Sequence, residues 1–227
     1  MVIQHEFITL TREGYDRTAG AYAERFHHYL DDKPVDLAMI NAFAGLILKG
    51  DNEHVLDLGC GTGATTALLA NCGVNAIGID LSPNMVSQAK KLNPELQFAV
   101  GSMTGLDAAD ASAGGVCAWY SIIHVPDEHL SGVFDEFYRV LAPNGLLLLA
   151  FQVGNEPRVL THAFGQEVNL TFIRRQPRQI NDLLTGAGFR IYSSLLRQPD
   201  DDGFESTPHN YLIARKTTPS TTAPPHR

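Results

Sequence analysis

The stretch VLDLGCGTGATT, residues 55–66, decides how the rest of the chain is read. Its opening residues form part of HVLDLG (54–59), which has the apolar character of a strand buried in a sheet. Gly59, Gly61 and Gly63 then fall at alternate positions where the strand must turn sharply into a helix. Glycine there tolerates positive φ and leaves the peptide bare for close approach by a ligand. In open α/β sheets such a turn lies in the crevice at the carboxyl ends of the strands, where ligands bind.

Outward from that stretch, strand-like and helix-like segments alternate, the pattern of a parallel sheet covered by helices. GATTALLANCG (63–73) reads as a helix closed by Gly73, and VNAIGID (74–80) as the second strand. SPNMVSQAKKL (82–92) reads as a helix with Ser82 as N-cap and Pro83 in its first turn. LQFAVG (96–101) and GVCAWYSII (115–123) supply the next two strands. In the following helix, 126–142, Leu130, Val133, Phe134, Phe137 and Leu141 recur at helical spacing. PNG (143–145) then turns the chain into the apolar strand LLLLAFQV (146–153). Residues 154–176 read as irregular, 177–189 as a helix, and 190–198 and 209–216 as a closing antiparallel strand pair. Two helices, 12–30 and 34–50, precede the first strand and are expected to form a lid. The expected organisation is one domain over 1–216, with the lid in 1–50 and the core in 51–216. The Thr/Pro-rich segment 217–227 is expected to be a disordered tail.

Composition narrows the partners. With 17 Lys+Arg against 25 Asp+Glu the formal charge is -8, and no basic run offers a stripe for phosphates, so nucleic acid is an unexpected partner. No apolar run approaches a membrane span and the N-terminus lacks secretory-signal features, so a cytoplasmic location without membrane association is expected. Cys60, Cys72 and Cys117 make no CxxC pair, and the nine histidines include no HExxH, so neither disulfides nor a metal site is expected. The expected state is monomer or homodimer.

A glycine-rich turn admits either a dinucleotide or an adenosyl compound. Gly59, Gly61 and Ala64 satisfy the G-x-G-x-x-G/A dinucleotide pattern, and Asp80 lies at a suitable distance to grip a ribose. Against a pyrophosphate stands Asp57, two residues before the first glycine, which repels an anion and attracts an ammonium or sulfonium. Some fifty residues of amphipathic chain before the first strand point the same way, since they are able to close over a small substrate.

Here the sequence resembles the class I S-adenosylmethionine-dependent methyltransferases, of the small-molecule type. The resemblance spans roughly residues 12–216 and rests on VLDLGCGTG (55–63), GIDLSPNMV (78–86), VGSMTGLD (100–107), residues 118–151 and AGF (187–189). It implies a Rossmann-like α/β fold: a seven-stranded, mostly parallel sheet with an antiparallel last strand and helices on both faces. It also implies S-adenosylmethionine as cofactor and S-adenosylhomocysteine as product. By resemblance the turn Gly59, Cys60, Gly61 and Gly63 approaches the methionine and ribose portions, with Asp57 near the amino group. Asp80 would accept the ribose hydroxyls, Leu81 and Met85 would flank the adenine, and Ser102 and Met103 would cover its other side and polar edge.

Methyl transfer is an in-line displacement for which alignment and exclusion of water can supply most of the rate; a base matters only when the acceptor carries a proton. His124, just past the fourth strand, is the candidate base, and Tyr120 shares that edge; packing is the competing role for both. Tyr15, Tyr22 and Phe26 occupy one helical face that could cover the cofactor, and His162, Phe172 and Arg175 are candidates to contact the acceptor. The expected activity is methylation of a small organic molecule, on oxygen or nitrogen. The alternatives are a nicotinamide (NAD) oxidoreductase, a non-catalytic S-adenosylmethionine-binding regulator, and sulfonium chemistry other than methyl transfer.

Overall fold

The computed structural model describes residues 3–201 and 203–217; apart from Thr217, the segment expected as a disordered tail lies outside them. Among these described residues nine strands form two sheets. The main sheet holds β1 (His54–Leu58), β2 (Asn75–Asp80), β3 (Gln97–Val100), β4 (Ala113–Trp119), β5 (Leu141–Gln152), β8 (Phe189–Arg197) and β9 (His209–Lys216). Their order is β3-β2-β1-β4-β5-β9-β8, with β1 to β5 parallel and β9 antiparallel to both its neighbours. The last strand is thus inserted between β5 and β8, as the sequence implied. The order reverses at β1, which lies between β2 and β4, so a crevice opens at the carboxyl ends of β1 and β4.

Among the described residues six α-helices pack around the sheet: α1 (Ile3–Phe26), α2 (Pro34–Ile47), α3 (Ala64–Asn71), α4 (Pro83–Leu92), α5 (Asp127–Val140) and α6 (Pro177–Gly186). Strand alternation sorts the core. Leu56 and Leu58 of β1 point to the face covered by α5 and α6, while Val55 points to the face covered by α2 and α3. On α5, Leu130, Val133, Phe134, Phe137 and Val140 are all at most 1% exposed, a burial contributing roughly 10 kcal/mol as an upper figure. Ser82 caps α4 as its sequence predicts, with its Oγ accepting from the Met85 N–H at 3.1 Å.

Three expectations change. Of the two N-terminal helices only α1 borders the cavity described below. α2 buries Ile40, Phe43, Ala44 and Ile47 against β1, β4, β5 and β9, so it is core and not lid. The segment read as irregular forms a hairpin, β6 (Arg158–Ala163) and β7 (Gln166–Phe172). Its two-residue turn, Phe164-Gly165, has positive φ at both positions (51° and 74°), a conformation more often signalled by Asn-Gly. Finally, the fourth strand stops at Trp119 because Tyr120 takes a left-handed φ of 51°, after which Ile122–His124 forms a 3-10 turn.

Candidate active site

The crevice opens into a cavity of about 570 Å³, a volume within the roughly 300–1,000 Å³ usual for small-molecule sites. Its floor is the turn after β1. The three glycines serve three ends. A Cβ on Gly59 (φ 72°) would lie 2.3 Å from the Ser121 Cβ, so glycine here lets the β1 and β4 turns pack together. Gly61 (φ 54°) has no heavy atom within 4 Å of such a Cβ and borders the cavity, so its peptide is open to a ligand. Gly63 (φ 80°) is the N-cap of α3 and packs on Phe98 and Asn93, away from the cavity wall.

Asp80 ends β2 on the cavity wall. Its Oδ2 accepts from the Gly61 N–H and its Oδ1 from the Ser82 N–H, each at 2.8 Å, which orients the carboxylate and ties it to the glycine turn. Burial nevertheless raises its pKa. Cys60, Leu81, Met85, Ser102 and Met103 share this half of the wall. Asp57 lies behind it: fully enclosed, it accepts from Thr66 Oγ1 at 2.6 Å, while its Oδ1 has no partner among the described residues. Burial pushes its pKa up to about 7. A buried carboxyl with an orphaned oxygen behind a bare peptide turn fits a cationic ligand group nearby and does not fit a diphosphate.

The roof is α1, fastened at several points along its length. Asp16 Oδ1 accepts from Ser82 Oγ at 2.5 Å and from the Asn84 N–H at 3.1 Å, and Arg17 donates to the Glu167 carbonyl on β7 at 3.1 Å. Just past the end of α1, His27 Nδ1 lies 3.2 Å from Thr62 Oγ1 on the glycine turn. Asp16 went unmarked in the sequence, where one acid within a mixed helix gives no signal. Tyr15, Tyr22 and Phe26 line the cavity as one aromatic run, with Tyr15 edge-on to Tyr22 and Tyr22 tilted on Phe26. Burial, with help from the Asp80 charge, pushes the Tyr22 hydroxyl up to about 12.

His124 borders the cavity but is not an open base. Its Nδ1 donates to the Thr171 carbonyl at 2.8 Å, which leaves Nε2 to accept the Tyr15 hydroxyl at 2.8 Å. Burial holds its pKa down to about 4, so the ring is neutral at physiological pH with both nitrogens engaged. It joins α1, the turn after β4 and the hairpin, and Phe172 packs edge-on against it. Tyr120 lines the cavity with its ring, while its hydroxyl is 2.6 Å from His209 Nδ1 and 3.0 Å from the Tyr211 hydroxyl. His162 and Phe172 also line the cavity. Arg175 does not: it is 1% exposed, and its guanidinium is spent on Asp127 and on the carbonyls of Ile122 and Val125. It braces the turn that carries His124, and the expectation that it meets an acceptor is corrected by that burial. Sequence reasoning also missed Gln152, Glu205 and His209 on the wall, because they converge from β5, β9 and the loop before β9. No group of three or more His, Cys, Asp or Glu among the described residues is arranged to hold a metal ion.

A mostly parallel α/β sheet with a ligand-sized crevice at its switch point defines a Rossmann-like fold. Residues 55–145 match the family model described as a methyltransferase domain. Among relatives, a demethylmenaquinone methyltransferase of Beutenbergia cavernae is 38% identical over 98 residues, 43% of this chain and 40% of that protein. A 2-methyl-6-phytyl-1,4-hydroquinone methyltransferase of Synechocystis sp. is 36% identical over 112 residues, 48% of this chain and 35% of that protein. The matched segments therefore span less than half of either relative. Among solved structures, DhpI in its SAH complex superposes with a TM-score of 0.72 at 21% identity, covering 94% of this chain and 98% of that one. Magnesium protoporphyrin IX methyltransferase from Synechocystis PCC 6803, with bound SAM, gives 0.68 at 20% identity, covering 93% and 97%. The structural likenesses establish the fold. The sequence matches mark residues 55–145 as similar to a methyltransferase domain.

Proposed function

We propose that the protein transfers a methyl group from S-adenosylmethionine to a small organic acceptor, releasing S-adenosylhomocysteine. The observation that carries this reading is the pairing of Gly61 with Asp80: an uncrowded peptide and an oriented, half-buried carboxylate meet on one cavity wall. A nucleoside ribose has the hydroxyl donors that such a carboxylate accepts. Leu81, Met85, Ser102 and Met103 would hold the adenine, and Gly59 to Gly61 the amino-acid portion, with Asp57 acting on its positive charge from behind the turn.

When bound, the cofactor supplies a methyl group on a cationic sulfur together with its own leaving group. This chain's residues bind, align and exclude water. Tyr15, Tyr22 and Phe26 close the roof; His124, neutral and doubly bonded, positions Tyr15 and the hairpin and takes no proton itself. The likeness of residues 55–145 to a methyltransferase domain, and the matched demethylmenaquinone and 2-methyl-6-phytyl-1,4-hydroquinone methyltransferases, support a small-molecule acceptor. Isothermal titration with S-adenosylhomocysteine and, separately, NADH tests the reading. Saturable binding of the first alone is expected; binding of NADH with no response to the adenosyl compound would replace it with an oxidoreductase.

A further inference from the structure

Four side chains form one hydrogen-bonded line from the cavity wall to a carboxylate buried under α2. Tyr211, wholly buried on β9, donates its hydroxyl proton to Asp36 Oδ1 at 2.9 Å. Its oxygen is left to accept from the Tyr120 hydroxyl at 3.0 Å, which spends the Tyr120 proton as well. The Tyr120 oxygen, 2.6 Å from His209 Nδ1, therefore accepts from that nitrogen. Arg197 Nη2 also lies 3.3 Å from Nδ1, but it is held to Glu205 Oε1 at 2.7 Å. A neutral imidazole whose proton sits on Nδ1 carries a lone pair on Nε2. That atom has no hydrogen-bond partner among the described residues, and its side chain lines the cavity.

Each bond takes its direction from the far end. Asp36, 2% exposed with Arg197 Nε 3.3 Å from its Oδ2, acts as the acceptor; it orients Tyr211, which orients Tyr120, which orients the ring. Tyr120 joins the line only through its left-handed backbone, a costly conformation for a non-glycine residue. The charged groups facing the ring are Arg197 at the end of β8, Asp200 and Glu205 in the loop before β9, and Lys33 ahead of α2. Burial, Arg197 and Lys33 lower the His209 pKa against the opposing pull of Glu205 and Asp200, so the ring is neutral at physiological pH. It differs from His124, both of whose nitrogens are engaged.

Resting on the methyltransferase reading, we propose that His209 is the catalytic base, its Nε2 taking the proton of an acceptor hydroxyl, and that the acceptor is a phenol. Phe26, Phe164, Phe172 and Phe204 give the aromatic body its apolar walls. The phenol oxygen forms the bond to the methyl carbon, the methyl–sulfur bond breaks with its electron pair passing to sulfur, and the phenol proton becomes the new Nε2–H. Ether, thioether and imidazolium result. The Nδ1 proton then passes to Tyr120, the Tyr120 proton to Tyr211 and the Tyr211 proton to Asp36. The charge on the ring is thereby neutralised by the buried carboxylate while the proton stays within the protein.

The test is long-range 15N–1H NMR of histidine-labelled protein, free and loaded with S-adenosylhomocysteine, titrated with 2-naphthol or with 2-methoxynaphthalene, which has the same body and no proton to give. The free protein is expected to show His209 as the Nδ1–H tautomer at neutral pH. In the loaded protein 2-naphthol is expected to move the Nε2 resonance and 2-methoxynaphthalene to leave it. His209→Gln assigns the signal and is expected to weaken 2-naphthol binding tenfold or more. Tyr120→Phe assigns it independently, because loss of the oxygen that accepts from Nδ1 should shift the ring toward the Nε2–H tautomer. An Nε2–H tautomer in the wild type, a tautomer unmoved by Tyr120→Phe, an equal response to both naphthalenes, or none to 2-naphthol overturns the proposal. Failure of S-adenosylhomocysteine to bind strikes instead at the methyltransferase reading, since the tautomer is read on the free protein.

Discussion

Gly59 and Gly61 sit two residues apart in one turn, yet alanine at each should fail differently. At Gly59 the added Cβ would lie 2.3 Å from the Ser121 Cβ while the backbone holds φ at 72°. The left-handed conformation costs roughly 1–2 kcal/mol and overpacking against a fixed turn about 1–3, so Gly59→Ala should lose on the order of 2–5 kcal/mol. At Gly61, φ is 54° and nothing lies within 4 Å, so only the conformational part applies, roughly 1–2 kcal/mol. Its methyl would instead project into the cavity and obstruct a ligand on the bare peptide. Urea unfolding followed by circular dichroism reads the first difference, and S-adenosylhomocysteine titration of the folded variants reads the second. Gly61→Ala is expected to be the more stable variant and to bind at least tenfold more weakly than wild type. Equal stability losses, or wild-type affinity in Gly61→Ala, would refute the division of labour between the two glycines.

Further expectations follow from the same geometry. The folded pKa of Asp57, about 7, lies above the unfolded carboxylate value, so the folded state holds the extra proton and its contribution falls as pH rises from about 4 to 7. Against Asp57→Asn, the wild type should therefore lose relative stability across that window, by as much as about 4 kcal/mol, and level off above it; a flat difference would show that Asp57 is not so perturbed. Arg175→Met should cost roughly 1–3 kcal/mol in urea unfolding, because it takes the guanidinium donor from the Val125 carbonyl, while Asp127 is solvent-exposed and the Ile122 carbonyl keeps the Val125 N–H; unchanged stability would show that Arg175 does not brace the turn. Tyr15→Phe should cost about 1 kcal/mol and speed ligand release in stopped-flow, since one hydrogen bond holding the roof to His124 is lost; unchanged release would mean that the roof does not gate the cavity.

Much of the scaffold was legible because its signals are local. The glycine turn, the Ser82–Pro83 helix start, the apolar run of β5 and the closing strand pair each announce themselves within a dozen residues. The hairpin escaped because Phe164 occupies a left-handed position that its side chain does not advertise, although Val168, Leu170 and Phe172 alternate along β7. The fate of α2 could not be read from its own periodicity, since an apolar helix packs equally well as core or as cover. The residues expected to hold a cofactor travel with β1 and β2, so local sequence signals mark them as a group. The other half is assembled from positions 36, 120, 152, 197, 205, 209 and 211, whose proximity exists only once β9 slots between β5 and β8. Arg175 illustrates the converse error: a cation in a loop near the site suggests a ligand contact until burial shows its donors spent on backbone.

The central claim is that the turn after β1 and the carboxylate ending β2 hold an adenosyl cofactor. A crystal structure of the complex with S-adenosylhomocysteine tests it most directly. The account predicts the ribose hydroxyls on Asp80 and the amino-acid portion along Gly59 to Gly61, beneath α1. Electron density for the nucleoside elsewhere in the cavity, or a ribose that leaves Asp80 untouched, would contradict it.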